Sequence, residues 1–152
     1  GRAAAVDSKR FLEGLAENLR EGAVALRPVA LSVAAEAHAL PMARAVPVGL
    51  VVNELVGNAL KHAFPGDAEG AVEVAFRREG DDFVLGVSDN GAGFDPAAAP
   101  AAGGGGLGTR IARGLAGQLG GRLDLVPAAV PPCGGDRPGT RWTMRFPAAG
   151  PG

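Results

Sequence analysis

The spacing of apolar residues along the chain predicts three helices. In each of three segments, apolar residues recur every three or four positions, which is the period of a helix with one buried side. The predicted helices span 8–21, a central stretch that starts between 42 and 47 and ends at 64, and 107–119. Asp7 or Ser8 can cap the first helix, and Gly120-Gly121 ends the third.

Between these helices the period falls to two, which predicts strands. The predicted strands lie within 29–33, 72–76, 83–87, 123–125 and 140–146. Glu79-Gly80-Asp81-Asp82 separates the second and third of them and predicts a hairpin turn. The order of elements predicts one domain over 1–152, with 1–7 frayed. Its fold class is α/β: a two-layer sandwich with a mixed, mostly antiparallel sheet and helices on one face.

Composition excludes several function classes. The 152 residues carry a net charge of -1 and a pI near 6.1, so no global field favours nucleic acid or an anionic membrane. No apolar run approaches the ~20 residues of a membrane span, and we expect no direct membrane contact. The single Cys133 excludes an intramolecular disulfide and fits a cytoplasmic location. Because the first residue is Gly1 rather than Met, we interpret the chain as a piece of a longer protein.

The central helix carries an unusual polar stripe. Glu54, Asn58 and His62 recur every four residues, with Lys61 beside them. The remaining side is apolar and is predicted to pack against the sheet through Leu50, Val51, Leu55, Val56, Ala59 and Leu60. Because buried polar groups are costly unless something binds them, the stripe is predicted to face a ligand pocket.

Three further motifs are candidates for chemistry. They are Asp89-x-Gly91-x-Gly93, Gly104-x-Gly106-Leu107-Gly108 at the start of the third helix, and Gly139-Thr140 at the start of the last strand. Each has a structural alternative when taken alone: a turn, a flexible linker and a residue that favours β-structure. Similarly, Asn58 can be a satisfied polar residue of the core, and His62 can complement the helix dipole.

In this order, however, the motifs resemble the N, G1 and G2 boxes of the GHKL ATPases, a group that includes gyrase-type topoisomerases, Hsp90, MutL and histidine kinases. NELVGNALKHAFP, DNGAGF and GGLGTRIARGLAGQLGG resemble most closely the catalytic (HATPase) domains of HWE-like (HisKA_2-type) histidine kinases. The resemblance covers about residues 8–147 and implies the Bergerat α/β sandwich. The Trp-x-Glu of strict HWE kinases is missing before the DNGAGF motif, which favours the HWE-like branch.

The resemblance implies an ATP and Mg²⁺ site, with phosphoryl-transfer roles for the central helix. Asn58 would coordinate Mg²⁺ through its side-chain oxygen, which suits a hard cation. Glu54 would polarise a water, orient the nucleophile or hold a water of the metal. Lys61 and His62 would face the phosphates.

The resemblance also implies roles for the glycine motifs. Asp89 would read the exocyclic amine of adenine, with Gly91 and Gly93 passing close to the base. The N–H groups of the segment 104–108, including Gly104, Gly106, Leu107 and Gly108, would bind the phosphates at a helix N-terminus. Thr140 would offer a hydroxyl near the adenine. Residues 95–105 would form the ATP lid. The Pro/Gly-rich composition of 127–139 separately predicts a loop.

No phosphoacceptor histidine is recognisable, since His62 belongs to the ATP helix and His38 precedes it. We therefore expect residues 8–21 to follow a histidine-bearing dimerisation hairpin that is absent from this chain. The chain alone would bind ATP without autophosphorylating. A response regulator would be the downstream partner. Two alternatives stay open: a stand-alone GHKL serine kinase or ATP-gated switch acting on a protein partner, and a non-catalytic interaction domain.

Overall fold

The computed structural model describes residues 4–64, 69–91, 106–126 and 139–149. Seven strands and three helices lie within these ranges. They are β1 (Ala5–Asp7), α1 (Ser8–Glu21), β2 (Val29–Ala35), β3 (Ala39–Pro41), α2 (Met42–Asn58), β4 (Gly70–Glu79), β5 (Asp82–Asp89), α3 (Gly106–Gln118), β6 (Arg122–Val126) and β7 (Thr140–Pro147). A π-helical turn over Ala59–Ala63 extends α2.

Five strands form the main sheet in the order β2-β4-β5-β7-β6. β2 runs parallel to β4, and every other neighbouring pair is antiparallel. The helices and this sheet form the α/β sandwich, so the predicted fold class is confirmed.

The predicted hairpin between β4 and β5 is confirmed. Glu79 pairs with Asp82, which leaves a two-residue turn, and Gly80 has the positive φ of 61° that such turns require. Beyond the turn, Arg145 of the neighbouring strand β7 forms ion pairs with Glu79 and Asp82. The hydrogen bond from Arg145, with a second from Arg77, lowers the pKa of Glu79 below its ordinary value.

Alternate residues of the strands form the core together with the helices. The large side chains buried from the strands are Val72, Val74, Phe76, Phe83, Leu85, Val87, Leu123, Trp142, Met144 and Phe146. The helical contribution comes mainly from Leu12 and Ala16 of α1, four aliphatic residues of α2 (Val48, Val51, Val52 and Leu55), and Ala112 and Ala116 of α3. The period-two pattern therefore identified the buried side of each strand correctly.

The helix boundaries follow local chemistry. Asp7 caps α1, since its carboxylate accepts a hydrogen bond from the Arg10 N–H at 3.0 Å. Helix α2 begins at Met42, at the early end of the predicted range. Pro47 lies inside α2, in its second turn. The last turn before Phe64 is π-helical, a form that is frequent at functional sites.

Two expectations about the helices and the N-terminus are wrong. Leu50 is 45% exposed, because it lies on the outer side of α2, whereas Val52 is buried. Residues Ala5–Asp7 are a strand that pairs antiparallel with Ala39–Pro41, and are not frayed. The Ser8 hydroxyl stabilises this junction because it donates to the Glu36 carbonyl and accepts from the His38 N–H.

Arg44 is a buried cation that anchors α2. Its guanidinium donates to the carbonyl oxygens of Leu119, Pro147 and Ala148 and lies 5.1 Å from the centre of the Phe146 ring. Burial lowers its pKa from the ordinary value. One side chain therefore joins the start of α2 to the ends of α3 and β7.

None of the described helices is long and apolar enough to cross a membrane.

Candidate functional site

Two polar side chains are buried side by side where β5 ends and β7 begins. Asp89 is 5% exposed and pairs in register with Thr140, which is 6% exposed. Asp89 follows Phe83, Leu85 and Val87 in the alternation of β5, so it lies on the side of the sheet that the helices cover. A carboxylate and a hydroxyl thus lie at the end of the core.

The backbone after Asp89 turns tightly. The Asp89 carboxylate accepts a hydrogen bond from the Gly91 N–H at 2.8 Å, and the Gly91 carbonyl accepts one from the Gly139 N–H at 3.1 Å. Gly139 has φ of 70°, and a Cβ there would lie 2.4 Å from the Asp89 carbonyl oxygen. Only glycine fits at this position, which keeps the two chain segments close together.

Asn90 ties the end of β5 to β4. Its side-chain oxygen accepts from the Ala71 N–H at 2.8 Å, and its own N–H donates to the Ala71 carbonyl. A surface pocket of about 600 Å³ adjoins Asn90 and is lined by Arg27, Pro28, Val29, Ala30, Glu69, Gly70 and Ala71. Hydrogen bonds therefore hold the segment after Asp89 both to β4, through Asn90, and to the start of β7, through Gly139.

The end of the central helix lies at this same end of the sheet. The Phe64 ring packs so closely on Gly70 that a Cβ there would lie 2.0 Å from it. Gly70 starts the strand in which Val72 pairs with Asp89. Arg27 donates to the carbonyl oxygens of Leu60 and Phe64 and stabilises the π-helical turn.

A side-chain hydrogen bond connects the end of α2 to the first turns of α3. The Asn58 side-chain nitrogen donates to the Thr109 hydroxyl at 3.3 Å, and Thr109 is buried. Because the nitrogen is engaged, the oxygen is the atom that this amide would offer to a metal. Glu54 is half-buried one turn earlier, and Lys61 is exposed in the π-helical turn.

Several of the predicted site residues lie outside the described part of the chain. Gly93, Gly104, the expected lid at 95–105 and most of the expected loop at 127–139 belong to this group, and so does the His62 side chain. The backbone of Gly106, Leu107 and Gly108 forms the first turn of α3, as predicted.

Sequence reasoning assigned no role to three residues that organise the described part of the site. Thr109 contacts Asn58, Asn90 joins two strands, and Gly139 supports Asp89. All three lie within motifs that the sequence had indicated. Their place in those motifs was the only signal that could have identified them.

The described donor groups favour one kind of metal site. The described residues contain no cluster of three or more His, Cys, Asp or Glu side chains that could hold an ion. A single carboxamide such as that of Asn58 fits a hard cation whose other ligands are water and phosphate oxygens. It does not fit the multi-ligand protein cages of zinc or calcium.

The protein is thus an α/β sandwich with a buried Asp89–Thr140 pair at one end of its sheet and a polar contact between α2 and α3. Residues 43–150 match the family described as "Histidine kinase-, DNA gyrase B-, and HSP90-like ATPase". Since this match covers more than half of the chain, the protein belongs to that family of ATPases.

Similar proteins agree with this assignment. The "Blue-light-activated histidine kinase 2" of Erythrobacter litoralis is 34% identical over 99 residues, which cover 64% of this chain and 28% of that protein. The solved histidine kinase domain of the Erythrobacter litoralis EL346 blue-light activated kinase has a TM-score of 0.77 and 26% identity, covering 97% of this chain and 65% of that one. A mycobacterial sensor histidine kinase, MprB, shares the fold at a TM-score of 0.70, 21% identity and coverage of 96% and 97%. This chain therefore spans well under a third of its curated relative.

Proposed function

We propose that this chain is the ATP-binding catalytic domain of a cytoplasmic sensor histidine kinase of the HWE-like branch. It would transfer the γ-phosphoryl group of Mg-ATP to a histidine on a dimerisation hairpin, in a two-component system that ends at a response regulator. The observation that carries this proposal is the buried Asp89–Thr140 pair at one end of the sheet, together with the Asn58–Thr109 hydrogen bond between α2 and α3, in a chain of an ATPase family.

Asp89 is the proposed adenine-reading residue. Its carboxylate is buried at the end of β5, and the Gly91 N–H holds its orientation. A buried acceptor favours the exocyclic amine of adenine over the carbonyl of guanine, because two facing acceptors would leave each other unsatisfied. Thr140 adds a hydroxyl beside it, and Gly139 sets the spacing of the two segments.

The phosphates would lie toward the helix ends. Helix α3 starts at Gly106-Leu107-Gly108. The first N–H groups of a helix have no partner within that helix, so they and the helix dipole favour negative charge. Asn58 would hold Mg²⁺, which supplies charge neutralisation when bound. Lys61 would add a point charge and Glu54 would orient the incoming nucleophile, so that positioning and electrostatics account for most of the acceleration.

The chemistry of the phosphorylated product tests the kinase assignment. Purified chain would be incubated with γ-labelled Mg-ATP, alone and with the segment encoded upstream in its gene. We expect ATP binding without self-labelling of the chain alone, and an acid-labile, base-stable phosphohistidine on the added segment. Acid-stable phosphoserine on a protein partner would instead support the stand-alone serine kinase. Absence of Mg-ATP binding would overturn both.

A further inference from the structure

The outer side of α2 is apolar and exposed at three successive turns. Met42, Val46 and Leu50 are spaced by four residues and are 38%, 48% and 45% exposed, so they form one stripe. An exposed helix side normally carries charged residues. We call Met42, Val46 and Leu50 the α2 stripe.

No charge lies on this side of the first three turns. Arg44 is the single charged residue between Met42 and Asn53, and its guanidinium is buried against three backbone carbonyls. The stripe is therefore an uncharged surface, and a partner that covers it must present an apolar face.

A surface pocket lies near the start of the stripe. It has a volume of about 410 Å³ and is lined by Val6, Asp7, Arg10 and Phe11. Val6 belongs to β1, which pairs with the strand directly before Met42, and the Phe11 ring packs against Gly49, the residue before Leu50. An amphipathic helix can lay its apolar side on such a surface and keep its polar side in solvent.

The path of the chain favours a segment that precedes Ala4 as the partner of the α2 stripe. The Met42 N–H donates to the Ala4 carbonyl at 2.9 Å, so the polypeptide enters the described structure at one end of the stripe. In addition, this chain covers only 65% of the solved EL346 histidine kinase domain, so that domain contains further segments. A segment that precedes Ala4 would reach the stripe without a long linker.

We propose that the α2 stripe docks the apolar side of a helix from the histidine-bearing hairpin that precedes this chain. The inference rests on the proposed function, since it needs that hairpin. Docking on the outer side of α2 would hold the hairpin on the helix that carries Asn58, and so couple its position to the ATP site.

The two methionines of the chain allow a direct test. Met42 lies in the stripe and Met144 is fully buried, so ¹³C-methyl-methionine labelling gives one reporter and one internal control. In the chain alone, a soluble nitroxide should broaden the Met42 methyl signal and spare that of Met144. In the protein extended by its encoded upstream segment, we expect Met42 to become as protected as Met144. The Met42 signal is assigned by its loss in Met42→Leu.

Substitutions make the test specific. Val46→Glu and Leu50→Glu, each in the extended protein, should restore the broadening of Met42, whereas Leu26→Glu, at a site that is 97% exposed elsewhere, should not. All three variants should bind Mg-ATP with unchanged affinity in calorimetry. Loss of Mg-ATP binding by the unmodified protein would reject the proposed function, whatever happens at Met42.

Three results would overturn the docking proposal itself. The first is a Met42 that stays exposed in the extended protein while Mg-ATP binds normally. The second is a start codon close to Gly1, with no upstream segment. The third is protection of Met42 that rises with the concentration of the chain alone, which would assign the stripe to a second copy.

Discussion

At the scale of single residues, Arg44 shows how a charge can belong to the core. Its guanidinium donates to three carbonyl oxygens at the ends of α3 and β7, and the bond to Leu119 is fully buried. From sequence, an arginine in the first turn of a helix is read as a solvent-exposed residue. Its role depends on residues about 75 to 104 positions away, which periodicity does not report.

Replacing Arg44 should be costly for stability. Arg44→Ala removes three hydrogen bonds to partly or fully buried carbonyls, and we expect a loss of about 3 kcal/mol in the free energy of unfolding. Urea denaturation measures it. Arg122→Ala is the control, because the Arg122 side chain is 83% exposed and its ion pair with Asp124 lies at the surface. Equal effects of the two substitutions would contradict the anchoring role.

Alanine substitutions at Gly139 and Gly80 distinguish the effect of backbone strain from a direct effect on the candidate site. Both glycines have positive φ, of 70° and 61°, so the backbone strain of alanine alone should cost about 1 kcal/mol of stability at either position. Only at Gly139 would the new Cβ collide with the Asp89 carbonyl, since nothing lies within 4 Å at Gly80. We expect Gly139→Ala to weaken ATP binding and Gly80→Ala to leave it unchanged. Calorimetric titration of both variants distinguishes the two effects, and equal affinities would disprove the support of Asp89 by Gly139.

At the scale of elements, local chemistry made most of the secondary structure predictable. Asp7 caps α1 and Gly80 lies in the hairpin turn, so the residues that set these boundaries lie next to them in the sequence. β1 escaped prediction because a three-residue strand has almost no pattern. Its partner in the small sheet, Ala39–Pro41, is equally short. Leu50 was assigned to the buried side because a helical wheel shows which residues share a side but not which side is covered. In the structure the outer side of α2, with Leu50, is exposed.

The contact between α2 and α3 should affect metal-dependent binding. Thr109→Val removes the hydroxyl that accepts from Asn58, whereas Thr109→Ser retains it. We expect Thr109→Val to weaken the binding of Mg-ATP by about tenfold, the value of one hydrogen bond, and Thr109→Ser to have little effect. Titrations with and without Mg²⁺ measure this difference. If valine and serine behave alike, the Asn58–Thr109 bond does not orient the amide.

At the scale of the whole molecule, the order of the strands in the sheet could not be predicted from the sequence. β5 lies between β4 and β7, and β2 runs parallel to β4, so the sheet depends on pairings between distant segments. The proximity of Asp89 and Thr140 could not be predicted for the same reason, because they are neighbours through the pairing of β5 with β7. Their motifs were visible in the sequence, whereas Thr109, Asn90 and Gly139 gained their roles through tertiary contacts.

Ligand binding should stabilise the whole domain. A ligand that binds only the folded state at 100 times its dissociation constant adds about 2.7 kcal/mol to the free energy of unfolding. We expect Mg-ATP to raise the melting temperature, and Mg-GTP to have little effect because Asp89 would reject guanine. A thermal-shift series with both nucleotides checks this. Equal shifts would contradict the adenine assignment, and no shift with either would favour a non-catalytic interaction domain.

The most direct test of the central claim is calorimetric titration of Asp89→Asn with Mg-ATP. Asparagine retains an acceptor for the Gly91 N–H but presents an amide where adenine needs a carboxylate. We expect ATP affinity to fall about 100-fold, near 2.7 kcal/mol, with an unchanged circular dichroism spectrum. Asp81→Asn, in the exposed hairpin turn at the opposite end of β5, should bind as the unmodified chain does. Unchanged affinity in Asp89→Asn would contradict the account.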